Sequence, residues 1–193
     1  MTTDARLRVL GPITVRGADG EVVEPSGPAA RALLAALALA APAARGVEAL
    51  GDDVWGDDPP RNPRGALQTL VSRIRAAAGP DLIRSDAAGY ASGTASDLGR
   101  ATELRDAALP LPAGDPARLT LIDEALALWR GEPGADLAGL PVADALADAS
   151  SSLRRTLEVA RAQTLTALGR PGEAAVALAA LADPRVLDAV SPA

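Results

Sequence analysis

The sequence predicts an α+β first half followed by an all-α second half, and three observations carry that prediction. Short alternating apolar runs occupy residues 7–23, apolar residues recur at helical spacing from 28 to 78, and no strand signal appears after residue 94. Leu7, Val9 and Leu10 open a strand that Gly11-Pro12 breaks. Ile13 and Val15 alternate with Thr14 and Arg16 in a second strand, and Ala18-Asp19-Gly20 turns the chain toward Val22 and Val23. From Pro28 the period changes: Leu33, Leu34, Leu37 and Ala40 lie on one helical face until Pro42 stops the run, and Val47, Leu50, Val54 and Trp55 suggest a second helix.

The third helix is the best defined, spanning 62–78. Asn62 suits the cap and Pro63 the first helical position, where no N–H partner is lost. Leu67, Leu70, Val71, Ile74 and Ala78 then form a buried stripe, and Gly79-Pro80 ends it. Leu82-Ile83-Arg84, a polar turn at Ser85–Gly89 and Tyr90-Ala91 predict a β-hairpin. A small sheet, three helices and a terminal hairpin are the parts of a winged helix-turn-helix, placed here at 1–94.

Residues 95–193 are expected to form a second, all-α domain. One helix is predicted at about Asp97–Ala108, and Asp115-Pro116 opens another with Leu119, Ile122, Leu126 and Trp129 on one face. A long amphipathic helix carries Leu146, Ala149, Leu153, Leu157, Ala160, Thr164 and Leu168 until Gly169, and Pro171 to Leu181 supplies a short antiparallel partner. Paired helices with Ala at the contacts suggest tetratricopeptide-like hairpins.

Composition narrows the chemistry. The 193 residues contain no Cys and no His, which removes disulfides, thiolate nucleophiles and the usual neutral-pH base and metal ligand. No metal and no cofactor is expected. All 19 basic residues are Arg, whose planar fork suits phosphates and guanine edges; a GC-rich genome accounts for the same bias. The net charge of −6 opposes indiscriminate nucleic-acid binding, but the excess acid is mostly C-terminal, with 10 Arg to 11 acids in 1–95 and 9 to 14 in 96–193. Between Pro59 and Pro80 there is no acid, while Arg61, Arg64, Arg73 and Arg75 all fall there. No signal peptide or membrane span is evident, so a soluble, cytoplasmic protein is expected.

At about 100° per residue, helix 62–78 turns its apolar stripe one way and Arg61, Gly65, Gln68, Thr69 and Ser72 the other, with Arg64, Arg73 and Arg75 at the flanks. Gln pairs with adenine and Arg with guanine, and Thr and Ser reach base edges or phosphates. Arg84 on the hairpin is placed for a neighbouring minor groove or its phosphates. Any solvated amphipathic helix shows a similar polar face, so the layout alone is only suggestive.

Sequence resemblance adds to it. Trp55-Gly56-Asp57-Asp58-Pro59-Pro60, Ala66-Leu67-Gln68 and Val71-Ser72-Arg73-Ile74-Arg75 resemble the signature of the Streptomyces antibiotic regulatory protein family, which joins an OmpR/PhoB-type winged helix to a bacterial transcriptional activation domain. Leu7–Pro12, Gly27-Pro28, Arg31–Leu34 and Gly89-Tyr90 are similar to the same family, and Ala125–Gly131 and Ala167–Arg170 resemble its activation domain. The resemblance implies a transcriptional regulator, an activator rather than an enzyme, that reads direct repeats in double-stranded promoter DNA through helix 62–78 and recruits RNA polymerase. It implies DNA contacts at Arg61, Arg64, Gln68, Thr69, Ser72, Arg73, Arg75 and Arg84, and a polymerase-facing loop with Asp52, Asp53, Asp57 and Asp58. A homodimer on DNA is a further implied assembly. Trp55 reads as a core anchor.

Departures from the pattern are also present. Ala29-Ala30 stand where the family often has Lys-Gln, Gly65 where it has Asn, and Ala76 where it has Lys, each removing a phosphate or base contact. Gly65 also weakens the helix by roughly 1 kcal/mol relative to Ala. The helical domain is expected to be shorter than the family norm. An alternative follows: a diverged winged-helix and tetratricopeptide-like interaction module with weak or no DNA binding. Enzyme chemistry ranks last, because Asp52, Asp53, Asp57 and Asp58 read as a solvated turn rather than a Mg²⁺ site, and Gly131-Glu132-Pro133-Gly134 lacks the Lys of a phosphate loop.

Overall fold

A computed structural model describes residues 5–17 and 20–181. Strands β1 (Leu7–Arg8), β2 (Thr14–Arg16) and β3 (Val22–Val23) form an antiparallel sheet in that order, with Leu7 opposite Val15 and Val15 opposite Val23. Part of the expected turn, Ala18-Asp19, lies outside the described residues. Helices α1 (Pro28–Ala40), α2 (Val47–Trp55) and α3 (Pro63–Ala78) follow, then a short 3-10 turn (Pro80–Leu82) and the hairpin of β4 (Ile83–Asp86) and β5 (Gly89–Ser92). The remaining helices are α4 (Asp97–Ala108), α5 (Pro116–Leu126), α6 (Pro141–Ala167) and α7 (Pro171–Leu181), with a 3-10 turn at Ala135–Leu137. This is the expected winged helix followed by an all-α region.

By packing, the chain divides into two compact units, Met1–Arg100 with Trp129–Ser150, and Ala101–Leu128 with Ser151–Ala193. The sequence boundary at 94/95 divides it by element type instead. In the first unit, Leu7, Val15, Leu33, Leu34, Leu37, Leu50, Leu67 and Ile83 are fully buried, so the sheet, α1, α2, α3 and the hairpin share one core. Leu137 and Leu146, far along the chain, are also buried. The second unit buries Leu119, Ala162, Leu165 and Ala174 together, with Leu168 packed against them. Arg118 ties the α4–α5 connection by donating from Nη1 to the carbonyls of Leu109 at 3.3 Å and Leu111 at 2.7 Å.

Two expected elements differ. The first strand stops at Arg8, because the N–H groups of Val9 and Leu10 bond to the Asp97 carboxylate instead of a neighbouring strand. Helix α5 stops at Leu126, which leaves Trp129 outside it. Trp129 and Arg130 belong to the first unit, where the Arg130 N–H donates to the Leu10 carbonyl at 2.8 Å, and the Arg130 guanidinium to the Pro12 carbonyl at 3.2 Å. Gly11 permits that approach, since at φ 134° a β-carbon there would press on the Arg130 backbone at 3.1 Å. On α6, Leu146, Leu153, Leu157, Ala160 and Thr164 are buried as the stripe predicts, whereas Ala149 is exposed and Ser150 takes its inward place.

Candidate nucleic-acid interface

Helix α3 starts where Asn62-Pro63 dictates: the Asn62 side chain accepts from the Gly65 N–H at 3.0 Å, satisfying one of the free donors of the first turn. Leu67, Val71, Ile74 and Ala78 are buried, and Leu70 is half-buried. That anchoring turns Arg64, Gln68, Thr69, Ser72 and Arg73 outward, and all five are exposed; Arg61, expected on the same helical face, is exposed but precedes the cap and lies outside the helix. Thr69 spends its hydroxyl proton on the Gly65 carbonyl at 2.9 Å, so its oxygen is left as an acceptor.

The hairpin stands beside this helix, with Arg84 opposite Ala91 and exposed. Its turn is closed by Asp86, whose Oδ1 accepts from the Ala88 N–H at 2.9 Å. Between helix and hairpin lies an open cleft of about 430 Å³, lined by Arg64 and Gln68 of α3, Ser85, Asp86 and Tyr90 of the hairpin, and Glu48 of α2. The walls are therefore mixed in charge, with two carboxylates facing one guanidinium. On the opposite flank of α3, Arg73 borders a smaller apolar recess of about 120 Å³ with Leu70 and Ile74.

Arg75 is placed differently from the other Arg residues of the segment. It is half-buried, its Nε donates to the Ile83 carbonyl at 3.0 Å, and its Nη2 donates to Ser85 Oγ at 3.0 Å. Its guanidinium is thus engaged with the hairpin. A second tie went unread in the sequence: the Arg45 and Tyr90 backbones exchange hydrogen bonds at 2.8 and 3.1 Å, and the Arg45 guanidinium grips Asp53, with Nη2 to Oδ1 at 2.8 Å. The hydrogen bond to Asp53 holds the Arg45 guanidinium above its ordinary pKa. No periodic signal could have located these pairs.

The four expected loop carboxylates separate. Asp52 and Asp53 sit within α2 rather than in a loop, and Asp53 is paired with Arg45, whereas Asp57 and Asp58 are exposed beyond the helix end. The helical pattern of Val47, Leu50 and Val54 carries through both residues before Gly56, at φ 53°, closes the helix. Trp55 is half-buried. Among the described residues no three carboxylates converge as a metal site would require, and no helix is long and apolar enough to cross a membrane.

Comparison with known proteins agrees with this architecture. The family model of the bacterial transcriptional activator domain matches residues 96–187. The regulatory protein AfsR of Streptomyces griseus is 39% identical over 150 residues, which is 74% of this chain and 15% of that protein. AfsR of Streptomyces coelicolor is 39% identical over 142 residues, 70% of this chain and 14% of that protein. The chain therefore spans only a small part of the length of these curated relatives. Among solved structures, Mycobacterium tuberculosis EmbR in complex with a low-affinity phosphopeptide is similar with a TM-score of 0.80 and 27% identity, over 92% of this chain and 50% of that one. An α+β winged helix ahead of a matched activator domain, with AfsR-like sequence across most of its length, places this chain in the AfsR-like family of regulatory proteins that carry a bacterial transcriptional activator domain.

Proposed function

We propose that this chain is a sequence-specific transcriptional activator that reads direct repeats in double-stranded promoter DNA through α3 and recruits RNA polymerase. The observation that carries the reading is the outward face of α3, free of carboxylates, with Arg64, Gln68, Ser72 and Arg73 exposed, Arg61 exposed just ahead of the helix, and a hairpin bearing Arg84 beside it. A helix entering the major groove from that side brings Gln68 and the Arg side chains to base edges and phosphates, while Arg84 meets the flanking strand. Thr69 offers an acceptor to base amino groups. Residues 1–94 carry the DNA contacts in this reading, and 95–193 carry the activating function. Asp57 and Asp58 form the polymerase-facing surface together with Asp52 at the end of α2. Function requires no bond to be made or broken, and it belongs in the cytoplasm, where promoter DNA is, with two copies side by side on a direct repeat.

Fluorescence anisotropy on promoter fragments selected from the source genome tests this reading. Gln68→Ala should erase the preference for the selected sequence, and Arg73→Ala should weaken binding to every duplex and flatten its salt dependence by about one unit. Binding that is indifferent to both changes defeats it.

A second reading, an interaction module with little DNA affinity, draws on Glu48 and Asp86 in the cleft and on a sequence pI near 4.7. Two carboxylates beside a phosphate strand repel it. Salt titration separates the two readings, because a DNA-binding face loses affinity steeply as salt rises.

A further inference from the structure

Read from sequence, Arg75 belongs with the residues that touch DNA. We propose instead that Arg75 is a positioning residue, which fixes the hairpin against α3 so that the cleft between them has one preset width for the edge of a DNA duplex. The inference rests on the DNA-reading function proposed above and assigns Arg75 a different part in it.

The geometry is specific. Arg75 lies in the last turn of α3, and its fork reaches two alternate residues of β4, the Ile83 carbonyl and Ser85 Oγ, both at 3.0 Å. Two donors from one rigid planar group, landing two residues apart, resist both sliding and rotation of the strand. Ser85 pairs with Tyr90 across the hairpin, and Tyr90 in turn exchanges backbone hydrogen bonds with Arg45. Each strand of the hairpin is therefore held from a different side, β4 by α3 and β5 by the segment leading into α2.

Such anchoring has a physical reason. Ile83 and Ala91 seat the base of the hairpin in the core, but residues 84–88 are exposed. A two-stranded ribbon without further support is marginal in water, so without a tie any DNA contact made by Arg84 would carry the entropy of ordering that end. Ser85, which Arg75 holds, lines the same cleft as Arg64 and Gln68. Moving Ser85 changes the distance between the two surfaces that meet the duplex. Arg75 itself, half-buried and with two of its nitrogens engaged, acts on DNA through the hairpin.

The test uses the full chain, with amide hydrogen exchange of the DNA-free protein and anisotropy on a fluorescein-labelled mixed-sequence duplex across a salt series. Arg75→Ala should speed exchange in residues 83–86 and weaken binding about fivefold at every salt concentration, leaving the salt slope as in the wild type. Arg73→Ala, a contact control, should instead lower the slope by about one. Ser85→Ala removes one acceptor from an exposed residue and should shift exchange and affinity in the same direction by less. Arg75→Lys should not restore either, because an ammonium cannot make the forked contact.

A slope shallower by about one in Arg75→Ala, with exchange of the hairpin unaltered, overturns the proposal in favour of direct phosphate contact. Unaltered exchange in both Arg75→Ala and Ser85→Ala overturns it whatever the DNA does. If the wild-type chain binds no duplex, the DNA reading falls and the recognition half of this proposal with it, while the exchange arm still decides the anchoring.

Discussion

Asp97 accepts a hydrogen bond from the backbone N–H of Val9 at 2.7 Å, across 88 residues of chain. Its other oxygen accepts from Leu10 at 3.2 Å and lies 3.4 Å from the Arg130 guanidinium. One carboxylate, almost wholly buried, thus satisfies two donors that would otherwise be stranded in the core where β1 ends. Asp97→Ala leaves both N–H groups without a partner and should cost about 2–6 kcal/mol, at roughly 1–3 for each buried orphan. Urea denaturation of the full chain measures it. A loss below about 1 kcal/mol would mean that the strand end finds other partners.

The same group gives stability a pH dependence. Burial raises the Asp97 carboxyl above its ordinary pKa, and the N–H groups of Val9 and Leu10 with Arg130 draw it back only in part. In the window between the unfolded midpoint, about 3.9, and the raised folded one, the folded chain binds more protons than the unfolded chain. The contribution of Asp97 is therefore complete below the unfolded midpoint and is lost as pH rises through the folded one. Comparing wild type with Asp97→Asn from about pH 3 upward isolates it from other carboxylates, since Asn does not titrate. The wild-type advantage should shrink with rising pH through that window and then level; a difference independent of pH removes the argument.

Gly89 permits the approach of the hairpin to the segment at Arg45 that leads into α2. At φ 145°, a β-carbon on residue 89 would collide with the Arg45 carbonyl oxygen, a backbone atom that cannot rotate away. Gly89→Ala should therefore break the Arg45–Tyr90 exchange and destabilise the chain by more than about 1 kcal/mol. Loss of amide protection at Tyr90 would show that the break is local. Protection retained at Tyr90 would show that the hairpin shifts as a unit instead.

How far the residues themselves disclosed this architecture depends on the range of the interaction. Helix α3 was readable because its determinants are local: Asn62-Pro63 sets the start and Leu67, Val71, Ile74 and Ala78 share a face at a 3.6 period. That period also placed Arg64, Gln68 and Ser72 outward. It could not place Arg75, since a flank position does not reveal whether solvent or a neighbouring strand lies beside it, and the hairpin that decides the matter packs there only in the folded chain. The partners of Asp97 and the return of Arg130 to Leu10 were unreadable for the same reason: a polar side chain carries no periodic trace of a backbone group contacted across tens of residues. Asp53 looked like its loop neighbours because its pairing with Arg45 leaves no mark in composition.

Separating DNA contact from activation requires residues that touch only one partner, and Asp57 and Asp58 are suited to that. Both are exposed past the end of α2, and neither takes part in the Arg45 pairing that holds Asp53. Replacing both with Asn removes two charges and preserves shape, so stability should change by less than about 0.5 kcal/mol. If these carboxylates meet polymerase, the doubly substituted chain should bind a selected promoter at least as tightly as wild type, because removing two negative charges takes no attractive contact away from the duplex. Transcription from that promoter in a reconstituted system should fall markedly, since a rim charge at a protein interface chiefly governs the rate of productive encounter. Full activation by the Asn variant would remove these two residues from the polymerase surface and leave Asp52, in the last turns of α2, as the acidic group to examine there.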